Sequence, residues 1–148
     1  MNAKRISFLV IFLVALASLS GYLMSKSSFI GRLGMTYVYK EYRFLKTWWQ
    51  GALAVFVVWM VVLVIQIIVE KKLSKTNATI VHVGFILLAL AGLYFTYADF
   101  QNTTSHRWLK EKFHIGAYLF WLGWVTISAF CIVQESSEIL KEKSNSPV

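Results

Sequence analysis

The sequence predicts an all-α integral membrane protein: a bundle of four spanning helices, with an additional interfacial amphipathic helix between the first two spans. Two observations carry this prediction. Of the 148 residues 57% are hydrophobic, and the 15 basic and 7 acidic residues leave four long runs without any charge. The charge-free runs are residues 6–25, 47–69, 76–98 and 113–134, which are 20, 23, 23 and 22 residues long. A soluble domain needs charge on its outer faces, whereas each run matches the roughly 20 apolar residues that cross a hydrocarbon core of about 30 Å.

The predicted spans are 6–24, 48–69, 78–98 and 113–133, in a single transmembrane domain that occupies residues 1–148 and ends in a charged tail at 135–148. The pieces outside the spans are too short for a soluble domain. The function must therefore lie in the bundle or at its two surfaces. The connection from Glu70 to Asn77 is short, so we expect the second and third helices to lie antiparallel and in contact.

The first span also has features of a secretory signal peptide. Lys4 and Arg5 precede an apolar run, and the small residues at 15–17 would suit a cleavage site. The charge-free run is longer than the usual signal core of about 7–15 residues, which favours an uncleaved helix. Removal of residues 1–17, leaving three spans, is the alternative.

Residues 35–46 are predicted to form the interfacial helix. Apolar side chains recur there at helical spacing, while Lys40, Arg43 and Lys46 form a basic stripe on another face. A helix of this kind lies in the headgroup layer, where each basic side chain gains about 1 kcal/mol from anionic lipid. A solvated connector with ordinary basic flanks is the alternative.

The basic residues that give the net charge of +8 flank the apolar spans. We therefore attribute this charge to contact with the membrane surface. Anionic lipid headgroups, and not nucleic acid, are thus the expected partner. The Lys and Arg count does not orient the chain: the two termini and the 70–75 loop hold seven, and the other two connections hold eight. Lys4 and Arg5, directly before the first span, favour both termini in the cytoplasm.

Small residues recur at intervals that allow close packing of helices. Each predicted pair lies on one face of one helix, where a neighbouring backbone can approach closely. The candidates for helix packing are Ala17 and Gly21, Gly92 and Thr96, and Gly116 and Gly123. The pattern predicts tight packing, either within the bundle or against a partner.

The spans contain no acidic or basic side chain, and this restricts the possible mechanisms. Proton-coupled transport normally uses a buried carboxylate and a voltage sensor uses arginines. The sequence therefore argues against pumps and antiporters and excludes a voltage sensor. A single cysteine, Cys131, also excludes a cysteine-pair redox enzyme.

Two histidines in the predicted spans are candidates for haem ligation, which in membrane cytochromes takes a histidine from each of two helices. His82 lies near the start of the third span, four residues in, and His114 lies near the start of the fourth, one residue in. These ends lie on opposite sides of an antiparallel pair, on the order of 20 Å apart at 1.5 Å per residue. The two histidines of one copy are therefore not expected to bind one haem iron.

The connection between the third and fourth spans carries the densest group of polar and aromatic side chains, and it suits a quinone or a lipid headgroup. The residues considered for cofactor binding are His82, His106, His114, Tyr97, Asp99 and Arg107. A metal site is not predicted, because a continuous helix would put His106 and His114 about 12 Å apart. A solvated interfacial loop is the alternative.

The leading functional prediction is a small non-catalytic subunit or assembly factor of a larger membrane complex, which binds other membrane subunits or its own copies. A redox subunit that binds haem or quinone is the first alternative. A small protein that binds or transports a lipid or an apolar solute is the second. No catalytic residue is predicted.

Overall fold

The computed structural model describes residues 3–26, 47–102 and 111–145, and these form four helices without a strand. The helices are α1 (Ala3–Ser25), α2 (Trp48–Lys72), α3 (Lys75–Asn102) and α4 (Glu111–Asn145). All four are long and apolar enough to cross a membrane. The predicted all-α bundle of four candidate spans is confirmed. The predicted interfacial helix at 35–46, with Lys40, Arg43 and Lys46, lies outside the described residues.

The helices run beyond the predicted spans, most of all at the end of α4. The fourth span is predicted to end at residue 133, with a turn or two of helix continuing into the charged tail, and the helix runs further than that, to Asn145. Hydropathy marks where the hydrocarbon ends. It does not mark where backbone hydrogen bonding ends, because the Glu, Leu and Lys residues of this segment are good helix formers in water as well.

A two-residue turn joins α2 to α3. Leu73 leaves the helix with φ −103° and ψ 158°, and its N–H donates to the carbonyl of Val69. The Ser74 carbonyl then accepts a hydrogen bond of 2.9 Å from the N–H of Ala78. This bond lies in the first turn of α3. The chain reverses within the two-residue turn, so α2 and α3 are antiparallel as expected.

The helices adjacent in sequence are not all adjacent in the bundle. α1 packs along both α2 and α4, α3 packs along α4, and α2 meets α4 less extensively. α2 and α3 share only a small contact. The expected contact between the second and third helices is thus limited, because a short turn fixes direction without making two helices pack along their length.

The main apolar core lies between α1, α2 and α4. Its buried residues are Leu9, Leu13, Ala17, Val55, Trp59, Val62, Leu63 and Ile127. α3 adds only the partly buried Phe85 to its edge. In the apolar window of α3, 17% of the residues are buried, against 33% in α2. α3 is therefore the peripheral helix of the bundle.

Candidate functional site

The bundle has two ends with different chemistry. We call the end with the Leu73–Ser74 turn the turn end; the start of α1 also lies there, where the Arg5 guanidinium donates to Ser137 Oγ at 3.1 Å. At the opposite end α3 finishes and α4 begins, and we call it the aromatic end. Its residues are Tyr97, Phe100, Phe113, His114 and Tyr118.

Phe100 is the centre of the aromatic end. It stacks on the His114 imidazole, with ring centroids 4.2 Å apart and planes 13° from parallel. The rings of Phe113 and Tyr118 lie 6.2 and 5.9 Å from it. Tyr97 approaches Tyr118 at 6.5 Å. The structure thus brings two predicted residues, Tyr97 and His114, into one cluster.

Sequence reasoning missed Phe100, which is one of the few buried residues of α3. Its spacing of three residues from Tyr97 was the available signal, because residues at that interval share a helix face. Asp99 is exposed beside this cluster. His106 and Arg107 lie outside the described residues, so the quinone or headgroup site stays a prediction.

His82 lies far from this cluster, at the turn end of α3, and is fully buried. Eighteen residues separate it from Phe100 along one helix, which is about 27 Å at 1.5 Å per residue. His114 stacks on Phe100, so the two histidines of one copy cannot bind the same haem iron. A cofactor role for either histidine stays a prediction. Within the described residues, no group of three His, Cys, Asp or Glu side chains could hold a metal ion.

Two tryptophans of the bundle lie over glycines. The Trp59 ring is fully buried, and a Cβ on Gly123 would come within 2.1 Å of it. The Trp59 indole N–H donates to the carbonyl of Phe120 at 3.0 Å. Gly123 therefore provides the space on α4 into which the α2 side chain fits.

The α3–α4 contact repeats this arrangement. A Cβ on Gly92 would come within 2.3 Å of the Trp121 ring, and the Trp121 indole N–H donates to Thr96 Oγ1 at 2.9 Å. One tryptophan of α4 thus contacts both members of the small pair predicted on α3. The hydrogen bond also satisfies an indole N–H that would otherwise lie in apolar surroundings.

The contacts of α1 are closer still, because they bring backbone against backbone. A Cβ on Gly21 would lie 2.3 Å from the backbone nitrogen of Ala52 on α2. On the α4 side, a Cβ on Gly116 would lie 2.9 Å from the carbonyl oxygen of Ser20, whose hydroxyl donates to the Gly116 carbonyl at 2.7 Å. Ala17 is buried one turn away from Gly21.

A buried polar group lies toward the turn end. Gln66 Nε2 donates to Ser128 Oγ at 2.8 Å, and the Ser128 hydroxyl donates to the carbonyl of Trp124 at 3.3 Å. Gln66 and Ser128 are fully buried, and Gln134 is 2% exposed. Sequence analysis assigned no role to Gln66, Ser128 or Gln134.

Several atoms of this group have no hydrogen-bond partner within the described part of the chain. They are Gln66 Oε1, Trp124 Nε1 and both amide atoms of Gln134, and all of them are buried. Leaving a buried donor or acceptor unsatisfied costs about 1–3 kcal/mol. Apolar side chains of similar size would avoid this cost, so these residues are candidates for a binding role.

No protein-family model, curated protein or solved structure matches this chain. Its function is therefore inferred from its own residues.

Proposed function

We propose that this chain is a small non-catalytic, multi-pass membrane subunit or assembly factor, and that it packs against a larger membrane protein through the outer face of α3. The proposal rests on the unequal packing of the four helices within the bundle. α3 packs along α4 alone and leaves large apolar side chains uncovered over most of its length. The exposed residues of this outer face include Ile80, Gly84, Leu87, Leu88 and Ala91.

Gly84 is the observation that carries the proposal. A Cβ at Gly21, Gly92, Gly116 or Gly123 would collide with a neighbouring helix, whereas a Cβ at Gly84 would meet nothing within 4 Å. Glycine in a helix costs about 1 kcal/mol relative to alanine. In transmembrane helices small residues allow another backbone to approach closely. Gly84 and Ala91 lie two turns apart on the exposed face, which suits a helix crossing at this point.

Cross-linking from this face tests the proposal directly. A photoreactive amino acid replaces Leu87 on the outer face of α3, and a matched control replaces Phe8, which is 74% exposed on α1. In the native membrane we expect Leu87 to cross-link to one larger protein and Phe8 to label lipid. The variant Gly84→Leu should abolish that cross-link and the co-purification of the same protein in mild detergent.

Three outcomes would contradict this assignment. Equal cross-linking from Phe8 would show that the α3 face is not special. Retention of the partner by Gly84→Leu would remove Gly84 from the interface. A cross-linked species of twice the 17.0 kDa chain would identify a second copy as the occupant and overturn the assignment to a larger complex.

We also propose that the turn end faces the cytoplasm and contacts anionic lipid headgroups. Exposed basic side chains gather there around the start of α1 and the α2–α3 turn: Lys4, Arg5, Lys71, Lys72 and Lys75. Lys4 and Arg5 adjoin the first span, where basic residues have the strongest effect on orientation. Reporter fusions at residues 73 and 104 should report opposite sides, with residue 73 cytoplasmic. The reverse assignment would overturn the orientation.

A further inference from the structure

Gly84 interrupts a ridge of side chains on α3. Residues four apart in a helix form such ridges. The members of this ridge are Ile80, Gly84, Leu88, Gly92 and Thr96. The ridge has a gap at each glycine. The gap at Gly92 is filled by the Trp121 ring of α4, whereas a Cβ at Gly84 would meet nothing within 4 Å. One ridge thus carries a filled gap and an open gap.

Small flanking residues allow a neighbouring backbone to enter such a gap. On α1, Gly21 lies between Ala17 and Ser25 in its own ridge. The atoms nearest to a Cβ at Gly21 are backbone atoms of Trp48 and Ala52 on α2. Neither flanking residue is large enough to hold the two backbones apart. Backbone contact therefore accompanies the glycine with small flanks.

Large flanking residues accompany the entry of a side chain. Gly123 on α4 lies between Leu119 and Ile127 in its ridge. The atoms nearest to a Cβ at Gly123 all belong to the Trp59 ring of α2. The flanking side chains keep the α2 backbone away, and a long side chain reaches between them.

Gly116 also has large flanks and shows both kinds of contact. It lies between Lys112 and Phe120. The atom nearest to a Cβ there is Met24 Cγ at 2.8 Å, and the Ser20 carbonyl oxygen follows at 2.9 Å. A side chain of α1 thus enters this gap too, together with part of the α1 backbone.

We propose that the partner places a tryptophan side chain of one of its own transmembrane helices into the gap at Gly84. The flanks of this gap, Ile80 and Leu88, are large and exposed. They resemble the flanks of Gly123, so a side chain enters the gap ahead of a backbone. The rings over Gly92 and Gly123 are both tryptophans. This inference rests on the proposed function, because it specifies what the partner presents to α3.

The indole N–H distinguishes tryptophan from phenylalanine at this position. In apolar surroundings an indole N–H needs an acceptor. The Trp59 N–H donates to the carbonyl of Phe120, three residues before Gly123. The equivalent acceptor for a ring over Gly84 is the carbonyl of Val81. A carbonyl oxygen has two lone pairs, so it can accept this bond in addition to the bond within its helix.

Model transmembrane peptides test the gap without the native partner. The full-length protein, with a photoreactive amino acid at Leu87, is placed in phosphatidylcholine vesicles with a leucine-alanine peptide of about 20 residues. The peptide carries tryptophan, phenylalanine or leucine one turn from its middle, as Gly84 lies in the charge-free run 76–98. We expect the tryptophan peptide to cross-link about fivefold more than the phenylalanine peptide, because one hydrogen bond separates them. The leucine peptide should cross-link least.

Substitutions locate the preference for tryptophan. Gly84→Leu fills the gap and should abolish the preference. Ala15→Leu is the matched control, since it enlarges an exposed small residue on α1, and it should keep the preference. Ile80→Ala combined with Leu88→Ala gives Gly84 small flanks and should reduce the preference. Unfolding by SDS checks that each variant is folded.

Several outcomes would overturn the inference. Equal cross-linking of the tryptophan and leucine peptides would show that the gap does not take a ring. Equal cross-linking of the tryptophan and phenylalanine peptides would show that the indole N–H is not recognised. A preference retained by Gly84→Leu would place the ring elsewhere on the protein.

Cross-linking in the native membrane separates this inference from the proposed function. A larger protein cross-linked from Leu87, with no preference among the peptides, would refute the tryptophan alone. The absence of any cross-linked larger protein would refute the proposed function, whichever peptide the gap prefers.

Discussion

α1 and α3 are both apolar helices packed against α4, but they are held in different ways. α1 packs along two neighbours and contributes Leu9, Leu13 and Ala17 to the main core. α3 packs along α4 alone, through the Trp121 side chain over Gly92 and through the stacking of Phe100 on His114. α1 approaches α2 backbone to backbone at Gly21. The contrast teaches that apolar composition brings a helix into a membrane, whereas the residue facing each glycine determines how firmly the helix is held there.

Leucine at Gly21 should have the largest effect. Its Cβ would lie 2.3 Å from the Ala52 nitrogen and 2.6 Å from the Trp48 carbonyl oxygen. Backbone atoms cannot rotate away, so α1 and α2 must separate along their contact. We expect a loss of about 3 kcal/mol in the free energy of unfolding, at the upper end of overpacking effects. Unfolding by SDS measures it, with Gly84→Leu as the control for the same substitution in open space.

A Gly21→Leu protein as stable as Gly84→Leu would contradict the close α1–α2 contact. It would also remove the difference between α1 and α3, because α1 would then be no more firmly held.

Leucine at Gly92 should displace α3 and leave the core of the other three helices in place. The obstacle is the Trp121 ring, which is bounded by Phe120 at 5.1 Å and Trp124 at 5.8 Å. We expect a loss of about 2 kcal/mol, typical of overpacking against side chains. Hydrogen exchange followed by mass spectrometry should show faster exchange in α3 peptides and unchanged exchange in α1. Faster exchange in both helices would show that α3 is not a separable layer.

The sequence was sufficient to predict the number of spanning helices and their approximate positions. Bilayer thickness sets the length of a spanning apolar run, so a run of that length without any charged residue indicates a span directly. The helix ends were less predictable, since α4 continues to Asn145. Neighbour relations were not predictable, because nothing in the composition of α3 indicates that it meets α2 only slightly.

The candidate sites show the same limit. The wide separation of His82 and His114 followed from helix direction alone. The stacking of Phe100 on His114, and the buried contact of Gln66 with Ser128, depend on which helix faces which. Residues 66 and 128 are far apart in sequence, and no local pattern links them.

Valine at Thr96 tests the polar part of the α3–α4 contact. The change keeps the side-chain shape but removes the acceptor of the Trp121 indole N–H. We expect a loss of about 1 kcal/mol, or somewhat more if the indole finds no other acceptor. The control is Thr126→Val, since the Thr126 hydroxyl donates to the Leu122 carbonyl of its own helix. Equal stability of the two variants would show that the Trp121–Thr96 hydrogen bond does not hold α3.

Alanine at Gly84 should have the smallest effect on the isolated chain, and one of opposite sign. A Cβ there meets nothing within 4 Å, so the change reduces the flexibility of the helix without any clash. We expect a gain of about 0.5–1 kcal/mol in the free energy of unfolding in detergent. Gly116→Ala is the control, because its Cβ would lie 2.9 Å from the Ser20 carbonyl oxygen and should destabilise. A loss of stability at Gly84 would mean that this face is covered within the chain, and α3 would then be held from two sides, as α1 is.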